Sequence, residues 1–268
     1  MRCQTCHTEQ ASTTVSCAVC RTPTGAPAVI PWARTYSLSG VGRATSNALG
    51  LAVVAHLLLA AMMIVDSQLV ERAKRDLDPD AIDSALFSTG LVGLLFVVPL
   101  TAAAVLMIVW CYLARVNLDA FPGAVPTLHK GWAIAGWLVP FVYLVVPPRV
   151  VANIVRESVW TSKTQTLVRI WIGSWVVYGI AGVALPIFDI WNFLALPTDL
   201  DGPDDYQKHV DYYYFSAVPS TLVPAVLGAV AGVSLIKLIN QVSAAQDIRI
   251  GRGTPAAPVM PGLATAGA

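Results

Sequence analysis

Charge is what this chain lacks first. Only 12% of its 268 residues are Asp, Glu, Lys or Arg and 56% are hydrophobic, against roughly a quarter charged in soluble domains. That excludes an ordinary soluble domain and predicts an all-α integral membrane protein. A basic surplus is also missing, since 17 Lys and Arg face 16 Asp and Glu. Nothing is left over to neutralise phosphates, so nucleic acid is excluded as a partner. The first 46 residues hold no continuous apolar run of the signal-peptide kind, and the expectation is an N-terminus that stays in the cytoplasm. Paired carboxylates inside the apolar segments and a nucleophile beside a base are absent too. The residues leave catalysis undecided and favour a non-enzymatic role.

Cysteine is scarce after residue 20. Cys111 sits inside an apolar segment and reads as a small buried packer, whereas Cys3, Cys6, Cys17 and Cys20 form C-x2-C-x10-C-x2-C. Two such knuckles aim four thiolates at one tetrahedral ion, and residues 1–22 are expected to be a structural zinc ribbon. The first knuckle also spells the haem-attachment pattern in Cys6-His7. That reading needs export and leaves Cys17 and Cys20 unexplained. A redox dithiol is the third option, without the strand and helix pattern that usually frames one. Residues 23–43, rich in Pro, Thr, Ala and Gly, read as a flexible linker from which the ribbon hangs.

Residues 44–242 form the membrane domain, with spans expected at about 48–65, 90–113, 169–188 and 215–236. His56 lies in the middle of the first span. An ionisable group at that depth suggests function, and the plainer alternative is a neutral imidazole bonded to a neighbouring helix. The loop from Asp189 to Tyr214 is acidic and tyrosine-rich. It lacks the calcium-loop spacing and predicts a solvated outer loop with an interfacial aromatic belt. Gly228 and Gly232 permit close approach of a helix within the chain. Residues 243–268 are expected to be a disordered tail.

The unusual segment is His129 to Trp160, with two Gly-Trp pairs ending in Trp132 and Trp137, then Pro140, Pro147-Pro148 and a basic amphipathic run. Whether it crosses the membrane decides the topology. If residues 131–147 re-enter on the side they left, all of the 17 basic residues except Arg72, Lys74, Arg75 and Lys208 lie in the cytoplasm, as the positive-inside rule demands. If they cross, only Arg2, Arg21, Arg34, Arg43, Arg115, Lys130 and Lys208 remain there. The count favours four spans plus a re-entrant segment, with both termini cytoplasmic. In residues 148–160 the apolar side is Val150, Val151, Ile154, Val155 and Val159, opposed by Arg149, Asn153, Arg156 and Glu157. This predicts a helix lying in the interface, its arginines near anionic phospholipid headgroups or snorkelling to water.

The run from Gly131 to Ser158 resembles the signature of a bacterial membrane-protein family catalogued as domain of unknown function 4328: a Gly-Trp motif, a proline a few residues on, and a Pro-Arg or Pro-Tyr start to an amphipathic helix. Members commonly carry an N-terminal cysteine-knuckle segment. The resemblance covers roughly residues 44–242 and implies a multi-pass protein of a bacterial cell membrane, with no activity to carry over. Where this chain has Tyr143, the family pattern has Asn.

Two functions compete. The first is a sensor, scaffold or assembly factor, with a cytoplasmic zinc module and a membrane core that binds lipid or an unknown protein partner through His56, Trp132, Trp137, Pro140, Arg149 or Arg156. The alternative is a small transporter or channel, its site lined by the broken segment at Pro140 together with His56. A lipid-modifying enzyme using His56 as base ranks below both, because a headgroup lies at the surface and His56 does not.

Overall fold

The apolar runs become four long helices because a backbone in lipid must satisfy its own hydrogen bonds. The computed structural model describes residues 1–9, 11 and 13–253. Among these, α1 (Ser39–Asp76) and α2 (Pro79–Asp119) form a hairpin. Leu77 in the left-handed conformation ends α1, and the Asp78 carboxylate caps α2 by accepting from the Asp80 amide at 3.0 Å. The start of α1 is capped from afar, since the Asp247 carboxylate accepts from the amides of Leu38 and Ser39 at 2.8 and 2.9 Å. A carboxylate at a helix N-terminus both satisfies orphan donors and complements the dipole.

After α2 come two short helices, α3 (Trp132–Leu138) and α4 (Val146–Ser158), and then α5 (Ser162–Leu194), α6 (Pro203–Tyr212) and α7 (Val218–Gly253), the last two joined by a π-helical turn over Tyr213–Ala217. Among the described residues, four helical runs are long and apolar enough to cross a membrane: α1, α2, α5 and the continuous run from Pro203 to Gly253. The spans expected from sequence lie inside them, shorter than the helices because hydropathy marks what must sit in lipid, not where the hydrogen-bond ladder ends. Much of their surface is exposed apolar side chain, such as Leu58, Leu94, Val98 and Trp191. That is the surface of an integral membrane protein.

The long helices stand in a row, α2 against α1, α1 against α7 and α7 against α5, while α2 and α5 share no substantial interface. The row is possible because α1 and α7 approach closely: a Cβ on Gly232 would lie 2.5 Å from Val53 Cγ2. Into the gap between α2 and α5 fits the central stretch. α3 stops at Val139, the chain turns through Phe141 at φ 64°, a 3-10 turn covers Val142–Leu144, and α4 packs back on α3. Gly136 lets them meet, for a Cβ there would be 2.6 Å from Val146 Cγ1. Both ends of this hairpin lie at the end where α2 finishes and α5 begins, and neither short helix is long enough to cross roughly 30 Å of hydrocarbon at about 1.5 Å per residue. It enters the bundle and returns, leaving four spanning helices.

Three expectations need correction. The apolar face of α4 does not look to lipid: Val150, Val151, Ile154 and Val155 are fully buried in the main core with Met107, Trp110, Leu238 and Ile239. Its polar side is split as well, for Asn153 and Glu157 are buried and only Arg149 and Arg156 are exposed. Asn153 donates to the Val125 carbonyl at 3.1 Å and accepts from the Thr127 amide at 3.2 Å, so this half of the helix organises the α2–α3 loop. Second, residues 243–253 are not tail but the last turns of α7, where Val242, Ser243, Gln246 and Arg249 are buried at helical spacing. The remainder of the expected tail, residues 254–268, lies outside the described residues. Third, residues 23–43 are not a loose linker. Ile30 donates its amide to the Ala120 carbonyl at 2.9 Å, and Tyr36 exchanges backbone bonds with the Asn117 side-chain amide at 2.8 and 2.9 Å. A proline-rich strap has few internal bonds, and here its polar groups are met by the membrane body.

At the opposite end the acidic loop folds too. Tyr206, Val210 and Tyr213 bury against Met63, Val70 and Ile82, so they cap the bundle rather than form an exposed aromatic belt.

Candidate metal centre

Each knuckle is built the same way. The amide of the first cysteine donates to a threonine carbonyl, Cys3 to Thr8 at 3.0 Å and Cys17 to Thr22 at 2.9 Å. The residue after the second cysteine, His7 or Arg21, donates back to that first cysteine's carbonyl from a left-handed backbone, φ 61° and 56°. Isolated antiparallel bridges, Arg2 to Glu9 and Ser16 to Pro23, close the two loops. The repeat is visible in sequence as Cys-x-x-Cys-His-Thr and Cys-x-x-Cys-Arg-Thr, a signal beyond the cysteine spacing itself. It places His7 as the counterpart of Arg21, a turn residue, which removes the reason to read it as a haem ligand.

The knuckles face each other, joined by the buried Thr22 hydroxyl, which donates to the Thr5 hydroxyl at 3.0 Å. All four Sγ atoms lie within 4.8 Å of one another, and Cys3–Cys20 and Cys6–Cys17 are each 3.5 Å apart. These separations are too long for disulfides and match the roughly 3.8 Å edge of a tetrahedron with metal–sulfur bonds of about 2.3 Å. The cysteines are free thiols among the described residues, and the cluster can hold a metal ion. The thiols differ without one. Burial pushes Cys20 up to about 12, against the opposing hydrogen bonds of Thr22. Burial also opposes ionisation of Cys6, but the Thr8 hydroxyl and amide and the neighbouring thiols bring it down to about 6. Four thiolates this close repel one another, and a divalent cation is what permits all to ionise together.

The cluster does not hang free. Trp160, just past α4, packs on the cysteines. From α7, Arg249 reaches across, only 4% exposed. It donates to the carbonyls of Ala28 and Pro122 at 2.9 and 3.0 Å, contacts the Thr22 hydroxyl at 3.4 Å, and lies 4.4 Å over the Phe121 ring. Cys20, Cys3, Cys6 and Glu157 are within its electrostatic reach. One turn on, Arg252 donates to the Thr5 carbonyl. Arg21 approaches the buried Glu157 of α4 at 3.8 Å, and Glu157 also accepts from Arg156 at 2.9 Å. Below this seat Gln246, fully buried, accepts from Asn117 at 2.8 Å and donates to Ser158 at 2.9 Å and to the Ala114 carbonyl at 3.2 Å, tying α7, α2 and α4 together. Sequence reasoning missed Arg249, Glu157, Gln246 and Asn117 as site residues, and only the i, i+3 spacing of Gln246 and Arg249 hints at them.

A family model described as "Domain of unknown function (DUF4328)" matches residues 73–244, more than half of the chain. The chain belongs to the DUF4328 family. No curated protein and no solved structure is significantly similar to it. The DUF4328 match covers the hairpin and α7 up to its last turns but begins near the end of α1, so the ribbon, His56 and Arg249 lie outside it.

The membrane candidates are not brought together. Trp132 and Pro140 are exposed; among the described residues the exposed Arg149 side chain makes no hydrogen bond, and the Arg156 side chain bonds Glu157. Trp137 packs edge-on against Trp175 of α5 with ring centroids 5.6 Å apart. His56 is elsewhere, in a cavity between the long helices, its ring stacked on Phe96 of α2 at 4.4 Å and edge-on to Tyr178 of α5 at 6.4 Å. Its side chain makes no hydrogen bond among the described residues. Pro140 does not line that cavity.

Proposed function

We propose that this DUF4328 protein is a non-enzymatic membrane sensor or scaffold, in which a cytoplasmic zinc module reports its metal state to the helix bundle. The observation that carries this reading is the seat of the four-cysteine cluster on α7 through buried Arg249. Four thiolates at tetrahedral spacing, three of them buried, are the donor set of a structural zinc site and leave no open position of the kind a catalytic zinc keeps. A bound divalent ion with four thiolates keeps a net negative charge, and Arg249 and Arg252 supply the compensation. Loss of the ion would remove what holds Thr5, Thr22 and Ala28 against α7. Signal transfer then needs no motion beyond release of the last turns of α7 and of the α4 residues that share Gln246 and Glu157. A protein partner would read that end of the bundle, and Arg149 and Arg156 would face the headgroups of the same leaflet.

Hydrogen exchange with and without chelator tests the transfer. The expected result is lost protection in residues 1–36 and also in 243–253 and 146–158. Loss confined to residues 1–36 would leave a zinc module with no connection to the bundle and overturn the sensor reading. Orientation in a bacterial cell membrane is checked separately: cysteines introduced at Lys130 and Lys163 in a variant lacking the native thiols should both label from the cytoplasmic side. Labelling from opposite sides would restore a fifth crossing.

A further inference from the structure

The gap between α2 and α5 is filled by the hairpin at the ribbon end only. At the opposite end it is left as a cavity of about 350 Å³, within the range of roughly 300–1,000 Å³ typical of small-molecule sites. Ile82 and Leu86 on the first turns of α2 form one wall, and Phe193 at the end of α5, with Leu200 in the loop after it, forms another. The third comes from His209 and Tyr212 at i, i+3 on α6, and Tyr213 on the π-helical turn continues it. The rings of Phe193, Tyr212 and Tyr213 follow one another with centroids 5.9 and 5.4 Å apart. Such walls suit an apolar body.

Two polar features decide what that body carries. His209 is only 8% exposed, and its Nδ1 lies 3.0 Å from the Asp205 carbonyl. A carbonyl can only accept, so Nδ1 holds the proton, and the neutral ring keeps an acceptor, Nε2, that bonds nothing among the described residues. The second feature is charge. Residues 66–83 and 189–211, which build this end, hold 12 Asp and Glu against 4 Lys and Arg. Among the described residues Asp83 stands in the lining without an ion pair, and no Lys or Arg lines the cavity. The neighbouring Lys208 is engaged by Asp205 at 2.9 Å, and Asp189 is within electrostatic reach of both Tyr212 and Tyr213. An anion is repelled here, and a hydrocarbon leaves Nε2 unbonded. A quaternary ammonium suits the rings and the charge but has no N–H to give. We propose that the cavity binds a small apolar primary amine in its ammonium form, an N–H donating to His209 Nε2, the charge facing Asp83 and the Tyr212 ring, and the apolar body lying on Ile82, Leu86 and Phe193.

The probe is phenylbutylammonium, titrated calorimetrically into the full-length protein in maltoside micelles, with empty micelles as the blank. Saturable binding is expected, about tenfold tighter than that of phenylbutanol, which lacks the charge, or of phenylbutyltrimethylammonium, which lacks the N–H. Asp83→Asn should weaken the amine about fivefold and leave the alcohol unchanged, which separates lost charge from a collapsed cavity. His209→Phe, which keeps a ring, should bring the amine down to the level of its trimethyl analogue. Leu86→Trp fills the cavity and should abolish binding of all three. Dihexanoylphosphatidylethanolamine carries the same ammonium beside a phosphate and should compete poorly against the acidic wall. Equal competition by that lipid would make this a headgroup site and overturn the free-amine proposal. Equal affinity for amine and alcohol, or an amine affinity untouched in the Asp83→Asn, His209→Phe double variant, would overturn it as well. None of these outcomes bears on the zinc reading, which concerns the other end of the bundle.

Discussion

One zinc ion per chain, tightly held by the purified protein and lost when Cys3→Ser and Cys17→Ser are combined, is the expected outcome of metal analysis. The ribbon has almost nothing else to fold around: its buried cluster is Cys3, Cys17 and Cys20, with Cys6 and Trp160 alongside. Structural zinc in such small modules contributes an apparent 10–16 kcal/mol, roughly, of folding free energy at neutral pH. No set of threonine hydrogen bonds could replace that. Chelation should therefore release residues 1–22 as a unit, read as rapid proteolysis near Val15 and Val19, which are already exposed, while the bundle stays folded on its separate core and loosens only in α4 and the last turns of α7. A double variant that keeps its metal, or a wild-type protein that never held any, would mean that these cysteines are not a zinc module.

Arg249→Ala is the second large effect. The substitution strips two backbone carbonyls of their donor, leaves a void beside Phe121 and withdraws a buried positive charge coupled to the cysteines. Each buried carbonyl left without its donor costs about 1–3 kcal/mol, together on the order of a hundredfold or more in the docking equilibrium. The strap from Ala28 to Tyr36 should then open, and trypsin should cut at Arg34 in the variant under conditions where wild type resists. Arg249→Lys should recover little, since an ammonium cannot reproduce the fork that spans Ala28 and Pro122 or stack on the ring. If Arg249→Ala left both the strap and the metal affinity unchanged, the docked arrangement would carry no energetic weight.

Much of the fold and half of the site are legible in the sequence, and the reasons differ by residue. Knuckle spacing is local, so Cys3, Cys6, Cys17 and Cys20 group from their separation alone. The re-entry of residues 131–147 follows because every Lys and Arg beyond it changes sides together if the segment crosses, which makes the count a sharp test. His56 stands out as an anomaly, but its neighbours do not. Phe96 and Tyr178 come from helices 40 and more residues away in the chain, and no periodicity joins them. For α4 the pattern is right and the environment inferred from it is wrong: an amphipathic repeat says that one face is apolar, not whether lipid or protein covers it.

By itself, then, the sequence determined the class of solvent, the number of spanning helices and the thiolate set, because each follows from composition or spacing within a short stretch. Only the tertiary structure decided that Asp247 caps α1, that Gln246 and Arg249 belong to a helix and not to a tail, and that the ribbon is seated rather than tethered. Polar side chains buried far apart in sequence have no local signature. Their partners exist only once α1, α2, α4 and α7 have packed, and burial without those partners would cost more than the helices could supply.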